Sequence, residues 1–514
     1  MTMLNIKFPL LLTCACLTLL PHAYAQEPNR SNTLSLAGSL EFTNIDPSSN
    51  GYLFTRMQVT ETLLDVNAKG ELLPALAQNY QVSDDRKVWS FTLAPDVTFH
   101  DGKKMDAEAV VKSLLIAFNK HGPLKNAPIE KIEASSDNQI SIALSQPYRP
   151  LGAVLAHYAN VILSPESYDE SGKVAHLYGT GPYKIYTLAP PHKLTVEKYA
   201  QYWADDASIQ YATYLTGHRA ESRALQATSG QADIAFELSP TSVMRMKMQP
   251  QIKVHEYSIP RTLVLKLNAG DPLLSSKEAR QALSLAINRQ GIAAGVLRSP
   301  GAEIDQLLPA AVSDWYLNQY QKPQYDIEKA RQLLAQLGWD KNGQGMLTRD
   351  GKPFELTLIT YADRPELTNV ATALQDQWRQ IGIKLNINIT NSSAIPAGHH
   401  DGSLQVALMA RNYGVIADPL AVLSNDFSPQ GGDWGAMNWS NPKLSQLFST
   451  LNLTNNQDEY HQLAQQAAQY IHQGYALLPI ASYTQRIGVN IRVKGFSFDP
   501  YERNFKLSKM EFTQ

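Results

Sequence analysis

The sequence predicts an α/β protein of two lobes, with a further α+β subdomain inserted into the first. Three observations carry this expectation. The chain has 514 residues, 44% of them hydrophobic, which exceeds the roughly 250 to 300 residues at which a single core divides. A strand, helix and strand succession over Phe354–Ile389 reads as a right-handed β-α-β unit, and so as a parallel sheet covered by helices. Two extended segments, Val254–Asn268 and Leu478–Val489, fall where the chain would leave the first lobe and return to it, giving a two-strand hinge.

The elements follow in order. Lys7, the apolar run Phe8–Leu20 and the small-x-small site Ala23-Tyr24-Ala25 read as a secretory signal peptide, so the mature chain is expected to begin at Gln26 and to be periplasmic. Both cysteines, Cys14 and Cys16, lie in that leader, with lipidation at one of them as the alternative. A mature chain without cysteine has no disulfide, no thiolate nucleophile and no Cys-based zinc site. With 45 Lys and Arg against 47 Asp and Glu, the formal charge is -2, which leaves no field to draw nucleic acid.

Val88–Leu93 alternates at period two, and Phe99-His100-Asp101-Gly102 makes a turn. Asp106 caps a helix whose Val110, Leu114 and Phe118 stack on one face, and Ile140, Ile142 and Leu144 alternate again. This is the inserted α+β piece. In the second half, helices are expected at Lys277–Asn288 and at Asp326–Leu337, the latter stopped by Gly338. Strand Phe354–Ile359, helix Pro365–Gln380 and strand Ile383–Ile389 come next, and Val406–Met409 extends the same sheet. The loop Arg411–Asp418 then leaves the carboxyl end of that sheet, where open α/β sheets take their ligands. The expected division is 1–25 for the signal peptide, 26–257 for lobe one with its subdomain at about 75–175, 268–478 for lobe two, and 479–514 for the return to lobe one.

Several stretches resemble one family, the extracytoplasmic solute-binding proteins of ABC importers in the peptide and nickel class. They are Phe99-His100-Asp101-Gly102-Lys103-Lys104 with Asp106–Val110, Gly179-Thr180-Gly181-Pro182-Tyr183, Arg280–Leu283 with Asn288-Arg289, Tyr325–Ala330 through Leu337-Gly338-Trp339, and Gln380–Ile383. The resemblance implies a two-lobed binder, working as a monomer, that closes on a small-molecule ligand and docks on a membrane permease. It implies no resident cofactor. Gly179 and Gly181 lack the Lys-Ser/Thr pair of a phosphate loop and are read as a structural turn.

Within that family, peptide binders resemble one another in an Asp four residues before the Pro of an Asp-Pro pair, where it meets the peptide amine. Here the pair is Asp418-Pro419 and the position is Val415, which would leave a buried ammonium unpaired. The loop instead resembles the nickel branch through Arg411-Asn412-Tyr413-Gly414. The expected cargo is therefore a nickel-type metal chelate, with a dipeptide or oligopeptide as the alternative, its amine then held by a carboxylate such as Asp418. Arg411 is expected to pair bidentately with chelator carboxylates and Tyr413 to stack on the ligand, with Asn412 beside them. Arg56 supplies a second carboxylate partner. His157, next to Tyr158, is the candidate metal ligand, set against a hydrogen-bonded structural role. Trp434 and Asn438 are candidates by position, and the His399-His400 pair is assigned to a surface turn. No His-Glu-x-x-His or Gly-x-Ser-x-Gly pattern occurs, so no enzyme is expected.

Overall fold

The computed structural model describes residues 27–513 except 311, 320–323 and 363. The proposed leader lies outside the described residues. One ten-stranded sheet runs through both lobes, in the order Lys384–Thr390, Glu355–Tyr361, Val406–Asn412, Ile252–Leu267, Leu477–Asn490, Ile234–Ala235, Thr33–Gly38, Tyr211–Thr216, Lys193–Lys198, Tyr183–Ala189. Its two central strands, of 16 and 14 residues, are the extended segments foreseen from the sequence, and they pair with each other along most of their length. Their ladder shifts register between Ile259 and Thr262. Pro260 falls in that gap, where a residue without an N–H removes nothing from the ladder.

Strand polarity decides where a ligand would meet this sheet. Val406–Asn412 runs antiparallel to the first crossing strand, with Leu267 opposite Val406 and Arg261 opposite Asn412, so its carboxyl end returns to mid-sheet. Glu355–Tyr361 is parallel to it. In lobe one, Ile234–Ala235 is antiparallel to the second crossing strand, and Thr33–Gly38 is parallel to Ile234–Ala235. The carboxyl ends of both lobes' parallel strands therefore converge on one place, the crossing.

The early insertion is a separate four-stranded antiparallel sheet, ordered Ala77–Val82, Val88–Leu93, Gln139–Leu144, Ile129–Ser136. Trp89, Phe91 and Leu93 point inward with Ile140, Ile142 and Leu144, each such side chain contributing about 1.5–3 kcal/mol by burial. Helix Ala107–Asn119 covers them. It starts at Asp106, whose carboxylate accepts from the Ala109 N–H at 2.8 Å, satisfying a donor that has no partner within the helix. Arg149 ties the end of this insertion to lobe two: it donates to the Thr454 carbonyl at 2.8 Å and to Gln457 Oε1 at 2.9 Å, and stacks 4.1 Å from the Tyr460 ring centroid.

The Gly-Thr-Gly-Pro-Tyr turn is structural. A Cβ on Gly179 would sit 2.2 Å from the Val59 carbonyl oxygen, and one on Gly181 would sit 2.1 Å from that of Gln58. Only bare backbone fits there, and His100 locks it: its N–H donates to the Gly179 carbonyl, and its Nε2 lies 2.9 Å from that of Gly181.

Three expected elements shift. The helix expected over Lys277–Asn288 ends at Leu285, because Asn288 turns out to cap the next turn by accepting from the Gly291 N–H. Asp326 is a cap rather than a helical residue, accepting from the Lys329 N–H. His399 and His400 sit on a helix, Ala394–Asp401, not on a turn. Pro396 is tolerated because it falls in the first helical turn, where N–H groups have no intrahelical partner, and left-handed Gly402 closes the end.

Candidate functional site

At the convergence of strand ends lies a small cleft, open at its mouth, whose wall includes Arg56, Tyr214, Phe236, Glu237, Gln485 and Glu502 beside Phe496, Phe498 and Phe505. Arg56 is the last residue of helix Pro47–Arg56, which starts at Asp46 with a hydrogen bond from the Ser48 N–H. A cation at that end suits the helix dipole. The Arg56 guanidinium lies 5.8 Å from the Phe505 ring centroid, and its Nε, shielded from solvent, has no hydrogen-bond partner among the described residues.

Glu502 is the acidic counterpart. Arg261 donates to it at 2.8 Å and Gln485 at 3.1 Å. Burial alone would raise its pKa, but the charges of Arg261, Arg56 and Arg364 and the Gln485 hydrogen bond outweigh burial and hold the carboxyl below its ordinary range. Arg364 donates to the Tyr483 hydroxyl at 3.1 Å, and the guanidinium groups of Arg261 and Arg364 lie 5.3 and 5.4 Å from the Tyr483 ring centroid. Three arginines thus act on one glutamate at the crossing, Arg261 by direct contact and Arg56 and Arg364 through their charge, and of the three the sequence marks only Arg56. Arg261 and Gln485 lie within the crossing strands and Glu237 two residues beyond strand Ile234–Ala235, positions near mid-sheet that are the signal that would have marked them. Glu502 carries no local signal.

The segment expected to be a loop over Arg411–Asp418 is placed differently: Arg411 and Asn412 end strand Val406–Asn412, paired with Thr262 and Arg261, and the loop begins after them. Arg411 gives its Nε and Nη2 to the two oxygens of Asp426, at 2.8 and 2.7 Å. The bidentate fork reserved for a chelator carboxylate is therefore occupied from within lobe two. Tyr413 is fully buried, its hydroxyl has no partner among the described residues, and its ring centroid lies 5.8 Å from the Arg411 guanidinium. Asn412 spends its side-chain oxygen on the Gly414 N–H at 2.9 Å.

His157 and Tyr158 pack on the helix that ends in Arg56: a Cβ on Gly51 would lie 2.7 Å from the Tyr158 carbonyl oxygen, and the Tyr158 ring meets Tyr52 edge-on. His157 Nδ1 accepts from the Ala159 N–H at 3.1 Å, and burial pushes the imidazole pKa down to about 3. The imidazole is a buried cap, and the hydrogen bond spends the lone pair that a metal would need at that nitrogen. Trp434 packs partly buried against the lobe-two core. Asn438 donates to Asn268 Oδ1 at 2.8 Å. Asn268 follows the far end of the crossing strand, about 20 Å from Arg261 at ~3.3 Å per residue, so Asn438 is not brought to the crossing. Asp418 accepts from the Leu420 N–H and the Tyr460 hydroxyl, each at 2.9 Å. On the cavity wall itself the carboxylates are Glu237, Asp499 and Glu502.

Two lobes, joined by two paired strands with a cleft on the lobe-one side of the joint, define a periplasmic-type solute-binding protein. Residues 71–434 match the family model described as "Bacterial extracellular solute-binding proteins, family 5 Middle", and the chain belongs to that family. The nickel-binding periplasmic protein of Escherichia coli (strain K12) is 25% identical over 483 residues, covering 91% of each chain. The probable D,D-dipeptide-binding periplasmic protein DdpA of the same organism is 25% identical over 452 residues, covering 85% of this chain and 84% of its own. Among solved structures, the nickel ABC transporter protein from Bacillus halodurans superposes with a TM-score of 0.77 at 25% identity, covering 93% of this chain and 99% of its own. The protein is accordingly a family 5 solute-binding protein of the ABC importer class, a family of substrate-binding proteins whose relatives carry nickel or peptides. No helix among the described residues is long and apolar enough to cross a membrane.

Proposed function

We propose that the protein captures a nickel-type metal chelate or metallophore in the periplasm, after export by its N-terminal signal, and delivers it to an ABC permease. The observation that carries this reading is Arg56: a guanidinium on the cavity wall whose shielded Nε has no partner. A buried donor left unmade costs about 1–3 kcal/mol, and a ligand carboxylate would satisfy it. Arg261 and Arg364 add positive potential beside it, both acting on the same Glu502 as Arg56 does. Lobe one is taken as 26–257 with the return 479–514, and lobe two as 268–478, so that closure brings Arg364 toward Arg56. Binding at such a joint drives closure through the difference in affinity between closed and open states.

A short peptide is the second reading, favoured by Glu237 and Glu502 on the same wall, where a carboxylate could meet an ammonium. Calorimetry with Ni(II) plus L-histidine, Ni(II) alone and L-histidine alone tests the first reading, for which heat with the complex is expected. No heat with the complex beyond that of Ni(II) alone and L-histidine alone, together with a peptide mass in native mass spectrometry of protein purified from the periplasm, would replace it with the second.

A further inference from the structure

Outside the cavity, three metal-ligating side chains from three different loops of lobe one come together: Glu41, His192 and His218, with donor atoms all within 4.8 Å of one another. We infer that they form a second site, for a divalent transition-metal ion of the nickel, zinc or copper type. His218 Nε2 lies 3.0 Å from Glu41 Oε1, a separation adjacent ligands of one ion can share. The His192 and His218 rings stand at 90° with centroids 6.1 Å apart.

The backbone beneath them is fixed. Glu41 lies three residues after strand Thr33–Gly38, His192 in the turn between Tyr183–Ala189 and Lys193–Lys198, and His218 two residues after Tyr211–Thr216. The Thr216 hydroxyl is 2.9 Å from the Leu40 carbonyl and 3.0 Å from the Pro191 carbonyl, so one side chain bridges the residues that precede Glu41 and His192. The Thr216 N–H donates to the His192 carbonyl and the Gly217 N–H to that of Gly38. The Tyr52 hydroxyl donates to the Glu41 carbonyl. The three loops are thus registered before any ion arrives, and only exposed side chains need to rotate.

An exposed pair between His218 and Glu41 contributes little by itself and does not account for His192 standing beside it. Two imidazoles and one carboxylate form a donor set suited to zinc, nickel or copper, with coordination positions left for water. The site is set apart from the solute by position: Leu40 and Tyr214 line the cavity, whereas all three ligand residues are exposed on the outer side of these loops.

The test uses the mature chain without an affinity tag, titrated calorimetrically with nickel sulfate and no chelator. One site is expected, with its affinity lowered at least about tenfold, or 1.4 kcal/mol, in the His192→Ala/His218→Ala double variant. That variant should keep the circular dichroism spectrum and the solute capture of the parent. A His400→Ala/His461→Ala variant, removing the exposed histidines that pair with Asp433 and Asp314, should bind nickel as the parent does. Absence of nickel heat in the parent, or nickel heat unchanged in the His192/His218 variant, would overturn the inference. Neither result depends on whether the cavity takes a nickel chelate.

Discussion

Arg411 and Asp426 face each other through two parallel hydrogen bonds of 2.8 and 2.7 Å, and the carboxylate is entirely without solvent exposure. Breaking such a pair from one side strands a buried charge, which costs about 3–5 kcal/mol. Arg411→Ala is expected to lower the urea unfolding free energy by that amount. The same pair explains why this arginine is a poor handle on the ligand: its strongest geometry is spent inside lobe two. Equal stabilities of variant and parent would show that Asp426 finds another partner.

Arg56→Ala has the opposite signature. A hydrogen bond to a charged group contributes about 1.5–3 kcal/mol, so the Kd for the Ni(II)–histidine complex should rise roughly 10- to 100-fold. Stability should fall by less than in Arg411→Ala, since among the described residues Arg56 holds no buried carboxylate by a hydrogen bond and acts on Glu502 only through its charge. Calorimetry and a melting curve on the same preparation give both readings.

Gly181→Ala should destabilise by about 1–3 kcal/mol, because its Cβ would meet the Gln58 carbonyl oxygen at 2.1 Å and that oxygen belongs to backbone. Gly343→Ala, where nothing lies within 4 Å of the added carbon, is the matched control and should shift stability by less than about 0.5 kcal/mol. Chemical denaturation of the two variants side by side decides it.

Glu61 supplies a pH signature. Its oxygens accept from the Tyr202 hydroxyl at 2.9 Å and the Trp203 indole N–H at 3.1 Å, and burial raises its pKa to about 7 from an ordinary 4.5. Between those two values the unfolded chain has lost the proton that the folded chain still holds, so stability falls as pH rises through that window. The slope is at most about 1.4 kcal/mol per pH unit. In Glu61→Gln the decline between pH 5 and 7 should flatten, which denaturation midpoints across that range would reveal.

Much of the fold was legible because its signals are local. Period-two alternation marked Val88–Leu93, and Gly382 and Gly338 marked the ends of helices at their left-handed φ values of +88° and +80°. The site was less legible because its logic is tertiary. Asp426 lies 15 residues beyond Arg411 across a loop and a helix, and nothing in the Arg-x-Tyr-Gly string tells that the guanidinium is already taken. Glu502 draws its partners from Arg261 and Gln485, far off in the chain. His157 was ambiguous for a different reason: an imidazole that caps a turn and one that binds a metal look alike until the Ala159 N–H is seen beneath it.

The two connections between the lobes are hydrogen-bonded neighbours in one continuous sheet, interrupted at Ile259–Thr262. A joint built this way folds like the spine of a book: it bends about one line and resists swivelling, because a swivel would tear the rungs between the strands. Relative motion of the lobes is thereby expected to follow mainly one coordinate, the bend across these paired strands.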